Sequence, residues 1–182
     1  MARQAVALCD QSHNGKIRVE GQTAAEFLQA SDLAINQGKH TAIGSVYRLR
    51  QDLLFISTQP DTVREIVADL VKMGNGREDL ITITDVTHGH AELWLVGPKS
   101  AELLSRLCGL DFHESQFPDG TAKQGSVAKT AQLIIRRDCA QLPAYAIIGA
   151  RSFGTYLWQT ILEAGADLGL EPMGQAALEQ LY

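Results

Sequence analysis

The residues here with the strongest claim to chemistry are five histidines, three cysteines and a few arginines set among apolar neighbours. His88 and His90 flank Gly89, a spacing that places two imidazoles on one face of a strand, as a metal site would need. No acidic or cysteine ligand stands at a matching spacing, and a turn between two strands explains Thr87-His88-Gly89-His90 equally well, so no metal site is assigned. His13 precedes a strand in Ser12-His13-Asn14-Gly15, while His40 and His113 stand alone in loops. Cys9, Cys108 and Cys139 are odd in number and widely spaced with no C-x-x-C pair, a pattern of reduced, mostly buried thiols. There is no G-x-S-x-G elbow, and neither G-x-G-x-x-G nor G-x-x-x-x-G-K follows a strand. No catalytic residue and no bound flavin or nicotinamide is therefore assigned to this chain. Trp94 and Trp158 read as core or interface anchors.

Length and charge bound what these residues could serve. The 182 residues suit one large domain or two small ones, and 45% hydrophobic with 20% charged residues is ordinary globular composition. A net charge of −5 repels phosphate backbones, so nucleic acid is excluded as a partner. The densest basic pairs, Arg48 with Arg50 and Arg136 with Arg137, fall in strand-like runs and read as exposed strand faces. No apolar run approaches the roughly 20 residues of a membrane span, and the apolar stretch after Arg3 is too short for a signal peptide core. A cytoplasmic protein without a membrane partner is expected.

The hydrophobic period alternates between two and about three and a half, which predicts an α+β fold. Gly15–Glu20 reads as a half-exposed strand, followed by Gly21 and a short helix capped by Thr23 with Ala24, Phe27 and Leu28 inward. Asn36-Gln37-Gly38 reads as a turn, and strands follow at Ile43–Leu49 and Leu53–Thr58. Pro60-Asp61 opens a helix with Val63, Ile66, Val67, Leu70 and Val71 on one face, closed by Gly74-Asn75-Gly76. The grammar then returns: strands at Leu80–Asp85 and His90–Val96, Gly97-Pro98, and a helix burying Ala101, Leu104, Leu107 and Cys108. A loop runs from Asp111 to Gln124 through Pro118-Asp119-Gly120. Strands at Gln132–Arg137 and Ala144–Ile148 precede a helix from Ser152 to Ala164, with Ser152 as cap and Tyr156, Leu157, Ile161 and Leu162 on its apolar side.

Residues 19–28 align with residues 95–104 at a constant offset of 76, with Gly21/Gly97, Ala25/Ala101, Glu26/Glu102 and Leu28/Leu104 identical. The chain thus reads as a single domain over 1–182, built from pseudo-repeat halves of about 5–78 and 79–170. Each half runs strand-helix-strand-strand-helix, and a short helix over 172–181 ends the chain.

The opening, Leu8-Cys9-Asp10-Gln11-Ser12-His13-Asn14-Gly15-Lys16-Ile17, resembles the start of the glycine-cleavage T-protein family of aminomethyltransferases. Gly97-Pro98-Lys99-Ser100 is similar to a later helix start of the same family. Several segments are similar to one branch of it, the gamma subunit of heterotetrameric sarcosine oxidase. They are Tyr47-Arg48-Leu49, Asp52–Thr58, Phe117-Pro118, Gly125–Ala131, Ile134–Arg137 and above all Arg151-Ser152-Phe153-Gly154-Thr155-Tyr156-Leu157-Trp158. The resemblance implies a T-protein-like folate-binding domain. Two departures stand out. T-proteins carry Asn-x-x-Gly-Gly-x-x-x-Asp where this chain runs Gly38–Tyr47, and Thr-Gly-Tyr-Thr-Gly-Glu where it has Asp138-Cys139-Ala140-Gln141-Leu142-Pro143. Only Gly165 to Tyr182 stands where the family continues into a C-terminal barrel, so a domain without that barrel is expected. Aminomethyl transfer by the usual route loses its acid, and no family catalytic residue carries over.

The resemblance therefore implies a non-catalytic accessory subunit of a heteromeric sarcosine-oxidase-like complex. FAD, NAD, FMN and tetrahydrofolate would lie only on larger flavoprotein subunits. Arg151, Phe153, Tyr156 and Trp158 are the candidate interface residues. The competing reading is a free-standing one-carbon protein holding folate or a similar ligand in a cleft lined by His13, Arg48 and Arg136.

Overall fold

A computed structural model describes residues 4–180, and these form two compact units. The smaller comprises residues 13–88, the larger the chain up to Ser12 and from Gly89 onward.

The smaller unit is built on β2 (Gly15–Glu20), β3 (Gln37–Thr41), β4 (Gly44–Arg50), β5 (Leu53–Thr58) and β6 (Thr82–Asp85), in the order β3-β4-β5-β2-β6 and antiparallel throughout. Strand alternation turns Ile17, Val19, Val46, Leu54 and Ile56 to one face, where α1 (Ala24–Phe27) and α2 (Val63–Gly74) cover them with Ala24, Phe27, Val63 and Leu70. The apolar spacing Val63, Ile66, Val67, Leu70 is the stripe that seats α2 on the sheet.

The larger unit holds β1 (Val6–Asp10), β7 (His90–Val96), β8 (Ala122–Val127), β9 (Thr130–Arg136), β10 (Ala144–Ala150) and β11 (Leu170–Pro172), in the order β11-β1-β7-β10-β9-β8. All neighbours are antiparallel except β11 on β1. Leu8, Leu93, Leu95, Ile134, Tyr145 and Ile147 meet Leu103 and Leu104 of α3 (Ser100–Leu107) and Leu157 and Ile161 of α4 (Gly154–Gly165). Each such apolar side chain, fully buried, contributes about 1.5–3 kcal/mol.

The two glycine turns share one backbone geometry. Gly21 and Gly97 have φ of 152° and 133°, a region open to glycine, and each turns a central strand into a helix. Gly21 N–H donates to Asp52 O (3.0 Å) and Gly97 N–H to Pro143 O (2.9 Å); Ala24 and Ser100 then donate back to the two glycine carbonyls at 3.1 and 3.0 Å. The first strand of each half is exchanged. β1 precedes β2 in the chain but pairs with β7, and β6 precedes β7 but pairs with β2.

Several local expectations change. β1, β3, β8 and β11 are strands the sequence pattern does not announce, so Asn36-Gln37-Gly38 leads directly into a strand and the Asp111–Gln124 loop ends at Thr121. Thr23 makes no capping bond; its hydroxyl donates to Asp79 instead. Ser152 does not cap α4 either, because Arg151–Phe153 form a 3-10 turn ahead of it, and Tyr156 is 45% exposed rather than on the apolar side. Ser100, Leu103 and Leu104 are the buried residues of α3; Cys108 is buried as expected but lies beyond the helix end, in a β-bridge with Val127. The last helix is α5 (Gln175–Glu179); residue 181 lies outside the described residues, as do Met1-Ala2-Arg3 of the stretch weighed as a signal peptide.

Candidate functional site

β7 is buried on both faces. Alternation sends Leu93 and Leu95 into the helix-covered core, which leaves Glu92 and Trp94 on the opposite face, 1% and 4% exposed. Trp94 Nε1 donates to Glu92 Oε1 at 2.6 Å, a short bond. The chain just after β1 closes around this strand: Gln11 N–H donates to Glu92 O (2.9 Å), and Ser12 Oγ accepts from Glu92 N–H (3.0 Å). Buried Gln11 also donates from Nε2 to Cys9 Sγ at 3.1 Å. Burial raises the Cys9 thiol pKa and the Gln11 bond only partly offsets this, so the sulfur stays protonated and is a poor nucleophile at neutral pH. Arg137 lies 5.9 Å over the Trp94 ring. Among the described residues this is a densely polar patch inside an apolar sheet, suited to hydrogen bonding and orientation. The signal in the sequence is a glutamate inside Ala91-Glu92-Leu93-Trp94-Leu95-Val96, which the strand reading passes over.

The ligand-cleft candidates divide between the units. His13 is exposed in the turn before β2, and Arg48 is half-buried on β4. Arg48 Nη1 donates to Leu33 O at 2.9 Å, while its buried Nε has no hydrogen-bond partner among the described residues. Arg136, in the larger unit, does not lie on an exposed strand face as its sequence context suggests: it is 6% exposed. Its Nε and Nη2 fork onto Asp138 (2.9 Å each), Nη1 donates to Phe117 O (2.9 Å), and the guanidinium sits 5.9 Å over the Tyr145 ring. These donors hold the 111–121 loop, so Arg136 acts as a strut. Asp138 raises the Arg136 pKa further. His88 lies in a 3-10 turn, Thr87–Gly89, and β7 begins at His90. Among the described residues no three His, Cys, Asp or Glu side chains gather closely enough to hold a metal ion.

The interface candidates also separate. Arg151 and Phe153 are exposed on the 3-10 turn, Phe153 at 45%, and Tyr156 is equally open on the first turn of α4. Tyr156 Oη donates to Ala128 O at 3.0 Å, anchoring the tight β8–β9 turn whose Ala128 and Lys129 both have positive φ. Trp158 is half-buried and packs on the core. Arg151, Phe153 and Tyr156 thus form one outward patch at the start of α4.

Two sheets, antiparallel except for β11 and each turned by a glycine into a helix, define an α+β domain of the T-protein type. The chain belongs to the GCVT N-terminal domain family, whose sequence profile matches residues 1–182. It is 30% identical over 202 residues to an aminomethyltransferase of Oceanobacillus iheyensis, a match covering 100% of this chain and 53% of that protein. It is 26% identical over 195 residues to 4-methylaminobutanoate oxidase (formaldehyde-forming) of Paenarthrobacter nicotinovorans, covering 99% of this chain and 23% of that one. The chain therefore spans about half the length of the curated aminomethyltransferases it matches. The fold superposes on glycine cleavage system aminomethyltransferase T from Bartonella henselae with a TM-score of 0.81 at 22% identity, over 99% of this chain and 51% of that chain. It also superposes on a chain of heterotetrameric sarcosine oxidase from Corynebacterium sp. U-96 with a TM-score of 0.78 at 19% identity, over 91% and 86%. No helix among the described residues is long and apolar enough to cross a membrane.

Proposed function

We propose that this chain is a non-catalytic, gamma-type accessory subunit of a heteromeric sarcosine-oxidase-like amine oxidoreductase. The complex would act on sarcosine or a related secondary amino acid in the cytoplasm. The observation that carries this reading is a missing carboxylate: Gly38–Tyr47 holds no aspartate where the T-proteins carry one. Local structure supports it. Where the T-proteins carry a segment ending in aspartate, β3 passes into β4 with Thr41 paired to Gly44, and only Ala42 and Ile43 lie between them. Neither offers a carboxylate. FAD, NAD, FMN and tetrahydrofolate would then belong to larger flavoprotein subunits, and the outward patch of Arg151, Phe153 and Tyr156 offers aromatic and arginine anchors for docking on them.

The test is a tagged purification from the native host, read by mass spectrometry and flavin absorbance. A yellow complex containing larger chains in fixed proportion is the expected result. A colourless protein eluting alone, and binding tetrahydrofolate in calorimetry, would overturn this reading in favour of a free-standing one-carbon protein.

A further inference from the structure

The two sheets match strand for strand until one edge. Reading outward from the central strand, β2 is followed by β6, while β7 is followed by β1 and then β11. β11 runs parallel to β1, with Val6 opposite Leu170 and Leu8 opposite Pro172, so the outer backbone groups of β1 are satisfied. β6 has no such neighbour among the described residues. Its pairing with β2 shows which groups this leaves outward. Val86 N–H donates to Lys16 O at 2.9 Å, and Ile17 faces Asp85, Arg18 faces Thr84 and Val19 faces Ile83. Antiparallel alternation then directs Thr82 and Thr84 main-chain groups toward β2 and those of Ile83 and Asp85 away from it.

Sheet edges are ordinarily blunted. β3 carries Gly38 and Lys39, β8 carries Lys123 and Gly125, and β11 ends in Pro172. β6 reads Thr82-Ile83-Thr84-Asp85, rich in strand-forming residues with no glycine, lysine or proline. Just before it stands Leu80, 84% exposed. Glu78, Asp79 and Asp85 bracket the strand; of the nearby arginines, Arg77 is forked onto Asp79 and Arg18, opposite Thr84, is paired with Glu20. Two copies joined along this edge would bring like carboxylates together, which disfavours self-pairing.

We propose that the outer edge of β6 receives an extended, apolar and basic segment of a larger partner subunit. That segment would stand in the smaller unit where β11 stands in the larger. Main-chain bonds to Ile83 and Asp85 would give the affinity, Leu80 an apolar contact, and the carboxylates the preference for a basic strand. This inference rests on the accessory-subunit reading and adds where the partner binds.

Hydrogen exchange at single-amide resolution, comparing the isolated chain with the complex from the native host, tests it. Thr82 and Thr84 amides should be slow in both samples. Ile83 and Asp85 amides should be fast in the isolated chain and slowed about 100-fold or more in the complex. An intact complex with unchanged Ile83 and Asp85 overturns the docking site and leaves the accessory role standing; failure to find any complex overturns both. Slowing of the same two amides in the isolated chain as its concentration rises would overturn it in favour of a second copy. As a separate check, Leu80→Glu should cut recovery of the complex about tenfold with the circular dichroism of the chain unchanged, and Leu80→Met should restore it. Undiminished recovery with Leu80→Glu counts against the site.

Discussion

In the smaller unit the Gly21 turn passes β2 into a helix of four residues; in the larger, the Gly97 turn passes β7 into one of eight. The smaller sheet stops at five strands, whereas the larger gains a sixth from the C-terminal segment. The polar patch of Glu92, Trp94, Gln11 and Cys9 has its place on the central strand of the larger unit, and the position equivalent to Glu92 in the smaller is buried Lys16. The same turn geometry thus accommodates two different central strands, because turn and strand pairing are held by backbone bonds that tolerate either side chain. What varies is the central strand's side chains and the finish of one edge.

The largest expected effect separates the exchanged strands. Leu8 on β1 is fully buried, so Leu8→Asp should cost more than about 4 kcal/mol and leave little folded protein. Ile83 on β6 is only half-buried, and Ile83→Asp should cost about 1–3 kcal/mol by urea denaturation. Equal losses would show that the two edges are finished alike, against the topology. Next come the matched glycines. Gly21→Ala and Gly97→Ala should each cost about 1–3 kcal/mol, since alanine avoids both backbone conformations. At Gly21 an added Cβ would also lie 2.5 Å from Leu80 O. A neutral result at either position would break the equivalence of the two turns.

Tyr156→Phe removes the bond to Ala128 O and should cost about 0.5–1.5 kcal/mol. It has no counterpart in the smaller unit. The smallest effect is electrostatic. Each unit carries one arginine–aspartate fork at its surface, Arg77–Asp79 and Arg106–Asp167, apart from the fork of buried Arg136 onto Asp138. The arginine bonds hold both carboxyls below their usual 3.8, so each fork's contribution is present above that pH and is lost as pH falls below it. Asp79→Asn and Asp167→Asn should each flatten the fall in melting temperature between about pH 5 and 2, by similar small amounts. A steeper slope in either variant would contradict the assigned sign.

Much of this was legible in the residues. The offset of 76, the glycine turns, the amphipathic stripe of α2 and the apolar run of β7 all follow from period and turn chemistry. β3 (Gln-Gly-Lys-His-Thr) and β8 (Ala-Lys-Gln-Gly-Ser-Val) were not, because an edge strand is set by its neighbour's backbone and needs no apolar alternation of its own. β1 escaped for the opposite reason: a continuous apolar run carries no period to read. The burial of Arg136 was hidden too, since Asp138 looks like an ordinary turn residue until the fork is seen.

The exchange of first strands also sets the order in which this protein can be made. β1 leaves the ribosome before the other strands of the described residues, yet its partners are β7 and β11, where Val6 meets Leu170. Such distant pairing makes for slow folding, because the loop must close before its contacts repay the lost entropy. During synthesis the apolar segment Val6-Ala7-Leu8-Cys9 stays without its sheet until β7 has been translated, and its outer edge stays open until β11 follows. A chain split between the two repeats would yield two pieces, each carrying a strand that belongs to the other.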